Sequence, residues 1–379
     1  MRLEQYQWTT EQGWDRPLHS TALGADVQLV LLFGQAGLVT SQECATLVRD
    51  AFPEAHLFGC TGGVIHDVHV GDETLTLTAI AFEHTRVATA RTPVGGATDS
   101  FAAGEALVRQ LDAKGLRHVF VLSEGLQVDS SALVRGINAS VPKGVTVSGG
   151  FAGDGDRFAY TYVWCDGAPE GAAAVAIGLY GERLQVGVSV TRGWGPFGPD
   201  RLITRSVRNV LYEFDGRPAL ALYKQYLGEY AAGLPATGLM FPLELRSGED
   251  GSRVLRALLA VNEEDQSITF AGDVPEGSLA RLMVGHIEDL IDGTIAAAKA
   301  SRDGQCAIRP ELSLVVSCNA RRAVLKQRVE EEVEAVRDTL GSHTTLTGFY
   351  SYGEIAPPLT GAGIELHNET MAITLISED

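Results

Sequence analysis

The chain has 379 residues, 45% of them hydrophobic, with 48 acidic against 30 basic side chains and a formal net charge of −18. That length suits two domains with full cores and is short for three. The charge repels phosphate backbones and anionic membranes, which argues against nucleic-acid binding, and no apolar run is long enough for membrane insertion.

The N-terminal MRLEQYQWTTEQGW lacks a basic region followed by an apolar one, so a cytoplasmic location is expected. One pattern then recurs three times: an apolar strand, a helix, a second strand and a glycine-rich turn. The first copy runs Val27–Phe33, a helix near Ser41–Phe52, His56–Phe58 and GCTGG at Gly59–Gly63. Thr74–Phe82 follows, alternating with period two as a strand does. Phe101–Lys114 reads as a helix with an apolar face, closed by Gly115. The second copy runs Val119–Leu122, a helix near Ser130–Ala139, Val145–Ser148 and GGFAGDG at Gly149–Gly155. Strands are predicted at Phe158–Trp164 and Ala172–Leu179, the latter forming a hairpin with Gln185–Thr191 across YGER.

Arg192–Asp200 (RGWGPFGPD) is rich in glycine and proline and marks a boundary between domains 1–195 and 196–379, with a hinge in that segment. Beyond it the reading gives strands at Leu202–Arg208 and Val210–Phe214 and a helix at Ala219–Leu227 closed by Gly228. Strands at Val254–Val261 and Ser267–Phe270 come next. An apolar stripe through Leu279, Leu282, Met283, Ile287, Leu290, Ile291 and Ile295 predicts a helix from Ser278 to about Ala300. The third copy runs Leu312–Ser317, a helix near Val324–Leu340, Thr344–Thr347 and GFYSYGE at Gly348–Glu354, and Thr370–Ile376 closes the chain as a strand. The expected architecture is α/β: a two-domain layered fold with pseudo-repeated βαβ units and mixed sheets. Right-handed crossovers put each helix on the same relative face.

The five cysteines, Cys44, Cys60, Cys165, Cys306 and Cys318, are widely spaced and never in CxxC, which argues against a disulfide framework or a structural zinc. His66, Asp67 and His69 are too few for a metal site, and none is expected. No GxGxxG follows a strand, and GxxxxGK[ST] and GxSxG are missing, so neither nucleotide binding nor an α/β-hydrolase triad is indicated.

Several segments together resemble one family. GCTGGVI, GGFAGDG, NVLYEFDGRPALALYKQYLG (Asn209–Gly228), GDVPEGSLARLM (Gly272–Met283), SCNAR (Ser317–Arg321) and GFYSYGEIAP (Gly348–Pro357) occur in the order seen in the FIST sensory domain, with its N-terminal and C-terminal halves. The resemblance implies a non-enzymatic, intracellular small-ligand sensor in signal transduction, with amino acids as ligands. Output would pass to a signalling protein such as a histidine kinase or a cyclic-di-GMP enzyme. Some family members are similar to haem-containing nitric-oxide sensors, so haem is the alternative cofactor. The sequence departs from the family at Val64, where a glutamate is common, whereas Glu354 is kept in the second half.

If the three glycine turns converge, their backbone N–H groups form a carboxylate cradle from Gly59, Cys60, Thr61, Gly62, Gly63, Gly149, Gly150 and Gly153. Arg321 would add a bidentate grip, Asp154 and Glu354 would hold an ammonium, and Tyr350 and Tyr352 would wall the pocket. Cys318 borders the same region. That inventory suits a zwitterion between the two domains. Two other readings stay open. A haem would need an axial ligand, with His84, His343 and above all His286, on the border of the apolar stripe, as candidates. An enzyme would need Cys60 or Cys318 activated as a thiolate.

Overall fold

The computed structural model describes residues 1–191, 193–247, 252–304, 308–358 and 362–378. Its architecture is mixed α/β, with sheets that combine parallel and antiparallel strands. The three copies read from the sequence are three sheets of six strands each.

In each sheet the two strands of a copy lie parallel: Leu29–Gly34 with His56–Thr61, Leu116–Ser123 with Thr146–Phe151, and Leu312–Cys318 with Thr345–Ser351. The helices Gln42–Ala51, Ser130–Ser140 and Val329–Leu340 make the crossovers. The return strand, Thr74–Ala81, Ala173–Tyr180 or Met371–Glu378, lies antiparallel beside the first strand. An outer strand follows: Arg2–Thr9, Arg86–Pro93 or Leu184–Thr191. The parallel strands are largely buried on both faces because helices cover one side and the other two sheets close the other. Leu31, Phe58, Phe120, Val175, Leu314 and Phe349 meet in one core shared by all three sheets.

After its second parallel strand, each copy leaves its own sheet. Gly63–His66 of the first copy pairs with Thr345–Ser351 of the third. Val163–Cys165 of the second pairs with His56–Thr61 of the first. Gly353–Ala356 of the third pairs with Thr146–Phe151 of the second. This cyclic exchange laces the sheets together, so no sheet is complete without a strand from another copy.

The glycine at the start of each glycine-rich motif has one structural job. A Cβ on Gly59, Gly149 or Gly348 would lie 1.8 Å from the carbonyl oxygen of Leu32, Val121 or Val315, its partner on the first strand. Only a residue without a side chain allows that backbone approach.

Between the second and third copies, Trp194–Gly285 builds a further nine-stranded sheet with its own core around Phe214, Leu220, Tyr223, Leu245 and Phe270. The chain enters and leaves it on a paired stalk, Trp194–Pro196 against Met283–Gly285. Arg192, at the start of the predicted hinge, lies outside the described residues, as does Cys306. Trp194 is buried and donates its indole N–H to the Glu369 carbonyl at 2.7 Å, which ties the stalk to the core.

Four local expectations are corrected. Ala173–Tyr180 and Leu184–Thr191 do not form a hairpin; they join different sheets, and YGER links two copies. The stripe from Leu279 covers two elements, a strand Leu279–Gly285 and a helix Ile287–Asp303, because Leu279, Leu282 and Met283 happen to match helical spacing. Of Phe158–Trp164 only the end belongs to a strand, Val163–Cys165. The last helix is broken at Lys326, whose φ is 53°, into Asn319–Leu325 and Val329–Leu340. No helix among the described residues is long and apolar enough to cross a membrane.

Candidate functional site

The exchange brings the glycine-rich segments together but leaves no room between them. They are strand ends rather than open turns, and their amides are engaged. Gly62 N–H donates to the Gly34 carbonyl at 3.0 Å and Gly153 N–H to the Thr61 carbonyl at 3.0 Å. Thr61 exchanges hydrogen bonds with Tyr162 through its own N–H and its hydroxyl. Gly59 and Cys60 pair with Trp164 and Val163, Gly149 and Gly150 with Ile355 and Glu354, and Gly63 with Tyr350. The expected carboxylate cradle is therefore replaced by sheet ladders.

Arg321 is also engaged. It is fully buried on Asn319–Leu325, with Nε 2.9 Å from Glu332 Oε2 and Nη2 donating to the Leu290 carbonyl and the Thr294 hydroxyl. Tyr350 is buried beside it and donates to Glu332 Oε1 at 2.6 Å, so it belongs to that ion pair and not to a pocket wall. Burial pushes its hydroxyl well above the usual pKa, with the Glu332 charge adding to the shift.

Glu354 lies at zero exposure. Oε1 accepts from Ser351 at 2.5 Å, and Oε2 accepts from the Thr370 hydroxyl at 2.6 Å. Burial raises its pKa to about 8 against the opposing effect of those donors. Glu369 is equally buried, with φ at 61° and, among the described residues, no hydrogen-bond partner on either carboxylate oxygen. Burial and the neighbouring Glu354 both push it upward. Both shifts favour the protonated, neutral carboxyls. Burial, then Glu354 and Glu369, likewise raise the Cys318 thiol, and burial raises Cys60, conditions that disfavour thiolates. His286 is exposed and precedes the helix Ile287–Asp303 as its N-cap residue, not a position within an apolar helical face.

The cavity lies a few residues away, between the core and the inserted sheet. Its volume is about 380 Å³. The core contributes Gly125–Ser131, Phe158, Cys318–Ala320, Ser351 and Tyr352. The insertion contributes Arg208, Asn209, Leu239, Ala257, Leu259 and Phe270–Asp273. Of the residues proposed from sequence, Cys318 and Tyr352 line it.

Asp154 organises one wall. It accepts from the Tyr352 hydroxyl and from the N–H groups of Ala159 and Tyr160 at 2.8 and 2.9 Å. Burial raises its pKa, but the Tyr352 hydroxyl and those amides outweigh it and leave the carboxyl below its usual value. It thus positions a loop instead of meeting an ammonium. Within that loop Phe158 holds φ at 49°, unusual for an aromatic residue, and stacks on Tyr352 with centroids 4.7 Å apart and planes 8° off parallel. At the rim Arg208 pairs with Asp129 and Arg135 with Asp273.

Sequence reasoning missed Phe158, Gln127, Asn209, Asn319 and Ser351. Asn209 and Asn319 stand in two motifs that carried the resemblance, NVLYEFDG and SCNAR, and Ser351 stands in GFYSYGE. No sequence signal singles out Phe158.

This arrangement is three interlaced sheets with an inserted domain that closes a cavity against them. A model described as the FIST N domain matches residues 28–217, and one described as the FIST C domain matches residues 219–357. The chain belongs to the FIST family, whose domains are associated with sensory roles in signal transduction. The cavity is walled by residues of both matched regions. A search of curated proteins finds no match. Among solved structures, a cyanuric acid hydrolase from A. caulinodans aligns over 99% of both chains at 9% identity and a TM-score of 0.39. A second, titled as evolutionary innovation by structural concatenation, aligns over 99% of both chains at 11% identity and a TM-score of 0.35. At that level neither neighbour's chemistry transfers to this chain.

Proposed function

We propose that the chain is a small-ligand sensor that takes a polar metabolite, amino acids first among those to test, into the cavity between core and insertion. The output passes through a separate signalling partner. The observation that carries this reading is the cavity itself: about 380 Å³, within the size range of ligand pockets, with walls from both matched regions. A ligand there touches both bodies, so it stabilises whichever arrangement of the stalk fits it better.

A thermal-shift screen over amino acids and related metabolites tests the reading. A ligand at 100 times its Kd adds about 2.7 kcal/mol of stability. Ala271→Trp, which fills the cavity from the inserted sheet, is expected to abolish the shift. A shift that survives this substitution places the ligand elsewhere and removes the cavity reading.

A further inference from the structure

We propose that the ligand is a flat aromatic or heteroaromatic ring with N–H or O–H donors at its edge, laid against the Phe158–Tyr352 platform and read by Asn209 and Asn319. This rests on the reading of the cavity as the ligand site.

The platform is built, not incidental. Phe158 is 53% exposed although its loop is tied down on three sides. Asp154 holds the amides that follow Phe158 and takes the Tyr352 hydroxyl proton, the Tyr352 hydroxyl oxygen lies 2.7 Å from the Gly155 carbonyl, and Asn319 donates to Gly155 and Asp156. Those ties keep an apolar ring at the cavity surface in left-handed backbone, a conformation that costs free energy and persists only when its surroundings impose it. An aliphatic ligand gains little from two parallel rings; a planar π system gains by offset stacking. The inserted sheet adds Ala257, Leu259 and Phe270 to the lining as apolar surface.

The edge chemistry follows from the two asparagines. Asn209 Nδ2 donates to the Phe270 carbonyl at 2.8 Å. Asn319 Nδ2 donates to the Gly155 carbonyl and to Asp156 at 3.3 and 3.2 Å. All these partners accept only, so both amides are fixed in orientation by chemistry, with nitrogen inward to the protein. Neither Oδ1 is taken by a described group, and both residues line the cavity. Two fixed acceptors select a ligand edge that donates. Arg208, the guanidinium among the lining residues, is paired with Asp129, so the edge being read is neutral rather than anionic.

The test uses the full chain and isothermal titration with four planar probes, L-tryptophan, L-tyrosine, adenine and guanine. Three non-aromatic probes, L-leucine, L-glutamine and L-glutamate, serve as comparison. At least one planar probe is expected to bind, weakened about tenfold by Phe158→Ala and restored by Phe158→Tyr. Asn209→Ala is expected to weaken the same probe, with each variant's fold checked by its melting curve. Binding of non-aromatic probes alone, indifferent to Phe158→Ala, overturns the ring proposal and leaves the cavity reading standing. Planar binding that survives Ala271→Trp overturns both. Failure of all four planar probes at millimolar concentration overturns the ring proposal.

Discussion

Two exchanged strands occupy equivalent places in the molecule and carry opposite chemistry. Gly63–His66 crosses into the third sheet with Val64 buried at its centre; Gly353–Ala356 crosses into the second with Glu354 buried at the matching position. The backbone geometry is the same, so the carboxylate is not needed to make the crossing. Around Glu354 lie Glu369, Cys318 and the Arg321–Glu332 pair, and two neighbours of that cluster, Cys318 and Ser351, line the cavity. Val64 does not line it. The repeat symmetry is thus broken beside the cavity, and Val64, where the sequence departs from the family, removes no group from it.

The largest expected effect breaks the charged side of that comparison. Arg321→Ala leaves Glu332 buried and unpaired, with Ser317 and Tyr350 still pointing at it. The expected loss is about 3–5 kcal/mol in urea unfolding. The double variant Arg321→Met with Glu332→Met is expected to recover most of that loss, because burying neither charge removes the desolvation penalty. A loss as large in the double variant would mean that the pair is required for the fold itself.

The next effect tests the symmetry of the scaffold. Gly59→Ala and Gly348→Ala each push a methyl group against a carbonyl oxygen in the same register. Each is expected to cost about 1–3 kcal/mol, and the two costs should agree closely. A large difference would show that the third sheet, with its buried charges, relaxes differently from the first.

The scaffold was legible for a physical reason. Apolar strands, amphipathic helices and close-approach glycines repeat with the chain, so GCTGG, GGFAGDG and GFYSYGE marked the three copies. What those glycines do was not legible. A glycine that permits a ladder and one that opens a cradle look alike until the partner strand is known, and here the partner strand comes from another copy. Arg321 shows the same limit: its partner Glu332 lies eleven residues on, beyond the break at Lys326. The cavity depends on Trp194–Gly285 folding back over the core, and nothing local to Phe158 or Asn209 records that contact. His286 was misplaced because one apolar stripe ran through a strand and a helix.

A third prediction concerns pH. Glu354 has its pKa raised in the folded chain to about 8, against an ordinary value of 4.5. Between those values the folded state holds a proton that the unfolded state has released. Stability from this group is therefore complete below pH 4.5 and lost as pH rises towards 8. Glu354→Gln removes that titration, so the wild-type decline in unfolding free energy should shrink by about 1.4 kcal/mol per pH unit across the window. Glu369, raised in the same direction, contributes to the slope that remains. An unchanged slope in Glu354→Gln would mean that the carboxyl titrates as it does in water.

Asp154 gives the smallest effect and the opposite sign. Its folded pKa is lowered, because the Tyr352 hydroxyl and the loop amides favour the carboxylate more than burial disfavours it. Its contribution is present above the ordinary carboxylate value and is lost as pH falls through the lowered one. Asp154→Asn keeps one acceptor and loses the charge, so at neutral pH it should cost about 1 kcal/mol. The cost should vanish in acid, where the wild-type carboxyl is itself neutral. The two acids therefore separate by pH alone: alkali weakens the crossing at Glu354, whereas acid loosens the loop that carries Phe158. A cavity whose ring platform depends on Asp154 should then lose affinity for a planar probe in Asp154→Asn at neutral pH. It should keep that affinity in Glu354→Gln, because Glu354 lies beneath Ser351 and does not itself line the cavity.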